Sequence, residues 1–373
     1  MIDNVNYGTD APILYDMTSD SRYIGDIVTV TGKVGFVLPA SSASVRKFML
    51  INQETANVNI IRAFTQRNFQ NFSNAALQGD YLIISSPALY DDGNGNNYVD
   101  QYRQYHNTAA GGSFNTKVYN IDELSDQFGF GIKGHPGSIR DFIRYSNQQF
   151  AVKPKYVFLI GRGMNYMEQK AHESDPLSDK LNFIPTFGWP ASDILLSAEP
   201  GTVSPIVPIG RLSVINGAEV NNYLQKVIQY NQAQQTPGST ISSKAWMKDM
   251  IHVAGGKTPD ESYIFKAYMD SYKAIVENDT SFGGHVETFA KTGTGAVEQA
   301  NSQRIEQLFD NGIGFIGYFG HSSASTFEFN LSDPQIYTNT GKYPFFNVSG
   351  CSAGNFFIFD QLRLTGKDRK SVV

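Results

Sequence analysis

The 373 residues include one cysteine, and it directly follows a glycine, as Gly350-Cys351. Thirty residues earlier the chain reads Gly320-His321. A thiol with an ordinary pKa of about 8.5 is mostly protonated at neutral pH, and a facing imidazole can take its proton to give a nucleophilic thiolate. Each glycine closes an apolar run that reads as a strand: Gly314 to Gly320, and Pro344 to Gly350. If the two strands are neighbours in a parallel sheet, imidazole and thiol emerge at the same edge, where such sheets bind ligands. The backbone amides of Ser322 and Cys351 are then candidate oxyanion donors, with Gly350 expected to turn the chain sharply into place. Taken alone, a single cysteine is more often a small buried hydrophobe. The matching strand-end histidine favours chemistry.

Other groups carry weaker signals. His106, His135, His172, His252 and His285 share no metal-ligand spacing and read as surface or internally satisfied histidines. Asp92, Asn94 and Asn96 place oxygens at alternate positions, as in a calcium loop. The sixth-position glycine and the closing glutamate of such loops are missing, so a plain loop is the favoured reading and calcium the lesser one. Gly161-Arg162-Gly163 has no third glycine at dinucleotide spacing. Asp193, after Trp189-Pro190-Ala191-Ser192, either borders a site or caps a turn.

These groups need elements to position them. Residues 1–77 are β-rich, with strand candidates at 27–38 and 47–52 and no helical period, and read as the end of a sandwich-like domain. From Asp80 the pattern alternates between strands and helices. Continuous apolar runs at 81–85 and 156–161 read as strands buried on both faces. Ile206 to Gly210 reads as a shorter strand whose proline suits an edge or a bulge. Val220, Tyr223, Leu224, Val227 and Ile228 follow helical spacing, and the polar stretch 234–244 reads as a subdomain boundary. Strands at 250–254 and 285–290, and helices marked by Ile264, Tyr268, Tyr272 and Ile275 and by Ile305, Leu308 and Phe309, complete a second unit. The helical stripes read as core. The expected fold is α/β: a mostly parallel sheet with helices on both faces, after a small β-rich domain. Its parts are 1–77, subdomain A over 78–233 and catalytic subdomain B over 245–373, the last expected to be truncated.

Bulk properties narrow the function. A net charge of −5 offers no basic stripe for nucleic acid. No apolar run is long enough to span a bilayer, and Met1 to Asn6 carries no signal-peptide pattern. One cysteine permits no internal disulfide. The polar and aromatic composition suits an exported bacterial surface protein.

Tyr318-Phe319-Gly320-His321-Ser322-Ser323 and Gly350-Cys351-Ser352-Ala353-Gly354-Asn355-Phe356, with upstream segments such as Pro208-Ile209-Gly210-Arg211-Leu212, resemble the gingipain family of cysteine peptidases. Within it the chain most resembles the branch containing the type IX secretion sortase (PorU-like proteins). The resemblance runs from about Asp80 onward. It implies a caspase-like fold, Cys351 as nucleophile, His321 as base and backbone amides as oxyanion hole. Some members add a carboxylate that orients the histidine, for which Asp260 and Glu261 are the candidates. Gingipains proper have glycine after the histidine where this chain has Ser322, whose Cβ tightens the oxyanion loop. The implied function is endopeptidase or sortase-like transpeptidase on exported proteins, including C-terminal signal domains of secreted cargo, at a bacterial surface and without a cofactor. The alternative is a non-catalytic secretion-assembly module that keeps the fold.

Overall fold

In the computed structural model the described residues are 1–27, 32–56, 66–67, 69–290, 296–322 and 337–365. The chain divides into two compact units, Met1–Asn68 and Phe69–Val373. The first contains two small antiparallel sheets. One pairs β1 (Ile2–Asp3) with β4 (Lys33–Val34), and the other has β2 (Ile13–Asp16) between β3 (Ser21–Ile24) and β5 (Phe48–Ile51). Of the strand expected over 27–38, residues 28–31 lie outside the described residues, and β4 is its short remainder.

The second unit holds two four-stranded parallel sheets. The first is formed by β6 (Tyr81–Ser85), β7 (Thr116–Asn120), β8 (Tyr156–Ile160) and β9 (Ile209–Leu212), in the order β7-β6-β8-β9. The helices of this half are α1 (Tyr98–His106), α2 (Ile121–Phe128), α3 (Gly137–Gln149), α4 (Tyr166–Ala171) and α5 (Gly217–Gln235). The short α6 (Ile241–Lys244) follows within the polar stretch 234–244. The second sheet comprises β10 (Asp249–Gly255), β11 (His285–Ala290), β12 (Phe315–Gly320) and β13 (Phe345–Ser349), in the order β11-β10-β12-β13, with α7 (Pro259–Val276) and α8 (Ala296–Asn311) as helices. Both sheets have the same winding: the second strand pairs on one side of the first, and the third on the other. Each sheet therefore has a switch point beside its first and third strands, where open parallel sheets form crevices.

The apolar runs are continuous because both faces are covered. Leu82 and Ile84 of β6 join Phe142 and Ile143 of α3 in one core, while Ile83 joins Val99 of α1 and Val220 and Leu224 of α5 in the other. In the second sheet Ile251, Val253, Ile316 and Tyr318 pack with Ile305 and Phe309 of α8. The α7 stripe is not core, however. Tyr268 and Tyr272 are 57% and 60% exposed, and Ile264 and Ile275 are also exposed; the buried residues of α7 are Ser262 and Met269. The small side chain of Ser262 lets the start of the helix lie close to the strand end, where a Cβ on Gly256 would come within 2.5 Å of its Oγ.

Strand spacing at the carboxyl edge depends on glycine. A Cβ on Gly320 would lie 2.5 Å from the Cα and the carbonyl oxygen of Gly255 on β10. Backbone cannot swing aside as a flexible side chain does. Gly320→Ala should therefore cost about 1–3 kcal/mol, as overpacking does. Gly354→Ala, where a Cβ meets nothing within 4 Å, should stay close to wild type. Urea unfolding of both variants checks this; equal midpoints would contradict it.

Candidate active site

The pairing of β12 and β13 sets the two reactive residues just beyond the ends of adjacent strands. The last paired positions are Phe319 and Ser349, two residues before His321 and Cys351, and Gly350 stays close to the end of β12, where a Cβ on it would lie 3.1 Å from Gly320 O. The two loops touch: the Ser322 hydroxyl donates to the Cys351 carbonyl at 2.7 Å. Cys351 is exposed. Among the described residues its amide donates to no backbone carbonyl.

His321 is fixed from several sides. Its backbone N–H donates to Gly255 O at 2.9 Å, and its carbonyl accepts from the Tyr318 hydroxyl. The imidazole lies 5.7 Å, centroid to centroid, from the Phe265 ring. Its Nε2 is shielded from solvent and sits 3.4 Å from Oε2 of Glu261, an ion-pair distance without hydrogen-bond geometry.

Glu261 reaches that position because it closes a capping box on α7. The Thr258 side chain accepts from the Glu261 amide, and Glu261 Oε2 accepts from the amides of Lys257 at 3.0 Å and Thr258 at 3.3 Å. The Lys257 amide above all, then the His321 imidazole and the Thr258 amide, outweigh burial and hold the carboxyl below its ordinary value of 4.5. Of the two acids expected to orient the histidine, Glu261 is beside the ring, whereas Asp260 is exposed.

Gly350 serves differently from the expectation. Its backbone is not left-handed; it is the close approach of the histidine loop that excludes a Cβ, which would fall 2.4 Å from Ser322 Oγ. The left-handed residue is Ser352, at φ +55°, so the sharp turn comes one residue after the thiol.

The remaining candidates lie elsewhere. Asp193 is bound bidentately by Arg211, at 2.7 and 2.8 Å, and accepts from the Thr186 hydroxyl. It closes the end of β9, with Arg211 also donating to Gly161 and Ile184 carbonyls. The oxygens of Asp92 accept from the amides of Asn94 and Asn96 and from both their side-chain nitrogens, which closes the loop on itself. Each of the other histidines has a local partner, such as Met269 O for His252 and Asp249 for His285.

One feature of the site has no local sequence signal. After the nucleophile turn, residues 357–363 bind across the carboxyl end of the first sheet. Phe357 O accepts from the Asn165 amide at 2.9 Å, Ile358 O from Arg162 Nη2 at 2.8 Å, and the Phe359 amide donates to Glu168 at 2.9 Å. Phe359 stacks on His172 at 3.9 Å, and Arg363 forms a two-pronged pair with Glu219. The thiol loop is thereby strapped to both sheets.

The unit is thus a paired parallel-sheet α/β structure that gathers a thiol, an imidazole and a carboxylate at the carboxyl ends of one sheet. The sequence profile of peptidase family C25 matches residues 74–368, and the chain belongs to that family, the gingipains. Among solved structures it is similar to the Arg-specific cysteine proteinase gingipain R, with 14% identity, a TM-score of 0.51 and coverage of 79% of this chain and 59% of that one. It is also similar to the complex of Porphyromonas gingivalis RgpB pro- and mature domains, with 15% identity, a TM-score of 0.53 and coverage of 76% and 58%. The likeness establishes the gingipain, caspase-like fold. The chain thus spans just under three-fifths of the length of those structures. No curated protein sequence matches it.

Glu261→Gln should remove the ion pair and weaken the cap. A loss of about tenfold in kcat/KM, one pKa unit's worth of interaction, is expected if peptide hydrolysis is followed. Because the folded carboxyl is held low, its contribution to stability is present above its ordinary value and is lost as pH falls through the folded value. The acid limb of a stability-versus-pH curve should therefore flatten in the variant; an unchanged limb would contradict the assignment.

Proposed function

We propose that this chain carries a cysteine-peptidase centre with Cys351 as nucleophile, His321 as general base and acid, and Glu261 as the carboxylate that orients the imidazole. What supports this reading is the β12–β13 pairing, in register up to Phe319 and Ser349, together with the hydrogen bond from the Ser322 hydroxyl to the Cys351 carbonyl that links the two loops. With Nε2 turned toward Glu261, Nδ1 is left to serve the thiol.

The steps follow from those positions. Nδ1 takes the thiol proton, and the thiolate forms a C–S bond to the peptide carbonyl carbon. The developing oxyanion is met by the amides of Cys351 and Ser322. Collapse breaks the C–N bond, and the imidazolium returns its proton to the leaving amine. Water attacks the thioester, gives a proton to the imidazole, and releases the acid and the thiol. An amine in place of water gives transpeptidation by the same steps. Every proton is carried by these residues.

The substrate class follows the family resemblance: peptide bonds of exported proteins at a bacterial cell surface. A sortase-like role on C-terminal signal domains of secreted cargo is the finer form of this proposal. The open rim is compatible with either acceptor.

The test is cleavage of a peptide library by a full-length protein containing this chain. Cys351→Ala and His321→Ala should each reduce turnover to background, and Cys351→Ala, at an exposed position, should leave the stability within about 1 kcal/mol of wild type. Cleavage that survives in Cys351→Ala, or negligible cleavage by all three proteins, would sink the proposal, the latter outcome favouring the non-catalytic module.

A further inference from the structure

The β12–β13 ladder ends at Phe319 and Ser349, two residues before the reactive side chains. Beyond that point the spacing of His321 and Cys351 depends on their loops. Among the described residues the side-chain hydrogen bond joining those loops is Ser322 Oγ–H to Cys351 O, at 2.7 Å, the normal length for a hydroxyl donor to a carbonyl. Its surroundings are shaped to fit. A Cβ on Gly350 would lie 2.4 Å from Ser322 Oγ and 3.1 Å from Ser322 Cβ, so the hydroxyl occupies space that only glycine at 350 leaves open. On the far side of the same peptide group, Ser352 is held left-handed at φ +55°, a conformation that a residue with a side chain keeps only where its surroundings enforce it. A bond that anchors the Cys351 carbonyl is such an enforcement.

We propose that Ser322 is a positioning residue: its hydroxyl ties the Cys351 carbonyl to the histidine loop and so sets the distance and angle between thiol and imidazole. This rests on the Cys351–His321 reading above and adds to it. The amide of Ser322 serves the oxyanion in that reading, whereas the hydroxyl acts on the thiol's own backbone. The side chain that the oxyanion loop must accommodate thereby becomes the clamp that holds the loop in register.

The test compares Ser322→Ala, Ser322→Gly and Ser322→Thr in the full chain. It uses hydrolysis of a peptide that the wild type cleaves and the pH dependence of alkylation by iodoacetamide. Ala and Gly both keep the amide and lose the hydroxyl, so either suffices if the other fails to fold. The expected result is a fall in kcat of about tenfold, the scale of one lost hydrogen bond, with KM changed by less than about twofold. The alkylation curve should move toward that of an ordinary thiol, and Thr should restore both readouts. Unchanged kcat and alkylation in Ala and Gly, beside an intact response to His321→Ala, would overturn the clamp and leave the dyad standing. An alkylation curve that His321→Ala does not move would overturn both.

Discussion

The site depends on how closely three strand ends approach one another. At the carboxyl edge of the second sheet, Gly255, Gly320 and Gly350 follow one another across β10, β12 and β13, and two of the gaps have no room for a methyl group. The Cβ of a residue at 320 would strike the Gly255 backbone, and one at 350 would strike Ser322. The strands cannot be wedged apart there, and His321 and Cys351 follow one step further along, at the ends of adjacent strands. The ladder itself is all-parallel, so both chains leave the sheet at the same edge. The chemistry is therefore set by backbone packing before any reactive group is considered.

The carboxylate shows how one arrangement serves two purposes. In a capping box the N3 glutamate folds back over the first turn of its helix to satisfy an exposed amide. Helix α7 starts directly after β10, so folding back takes Glu261 toward the strand ends and sets it 3.4 Å from the imidazole. Helix stability and histidine orientation are then coupled through one oxygen pair. A second coupling runs through the chain after the thiol. That segment is hydrogen-bonded to Arg162, Asn165 and Glu168 and ion-paired with Glu219, all at the first sheet. The first sheet thus restrains the loop on which the nucleophile sits.

Much of this was legible in the sequence, for identifiable reasons. Runs such as Tyr81 to Ser85 and Tyr156 to Ile160 must be buried on both faces, and their apolar continuity shows it. The α5 period reflects a helix lying over one core. Strand β7 escaped because Thr116-Lys117-Val118-Tyr119-Asn120 offers too few apolar residues to stand out, although it pairs fully with β6. Helices α1 and α2 escaped with it. The α7 stripe misled because helical spacing marks a face without saying which way it points. Thr258-Pro259-Asp260-Glu261 was a readable capping box that would have separated Glu261 from Asp260. The role of Gly350 and the strap to the first sheet rest on contacts between residues far apart in the chain, for which no local pattern exists.

With a single cysteine in the chain, the thiol can be followed without background. The most direct measurement is the rate of iodoacetamide labelling at Cys351 across pH 4 to 10, for wild type and His321→Ala. If imidazole and thiol share one rim, wild-type labelling persists well below the ordinary thiol value of about 8.5 and the variant loses that acid-side reactivity. Superimposed curves, each with one inflection at the ordinary thiol value, would contradict the account.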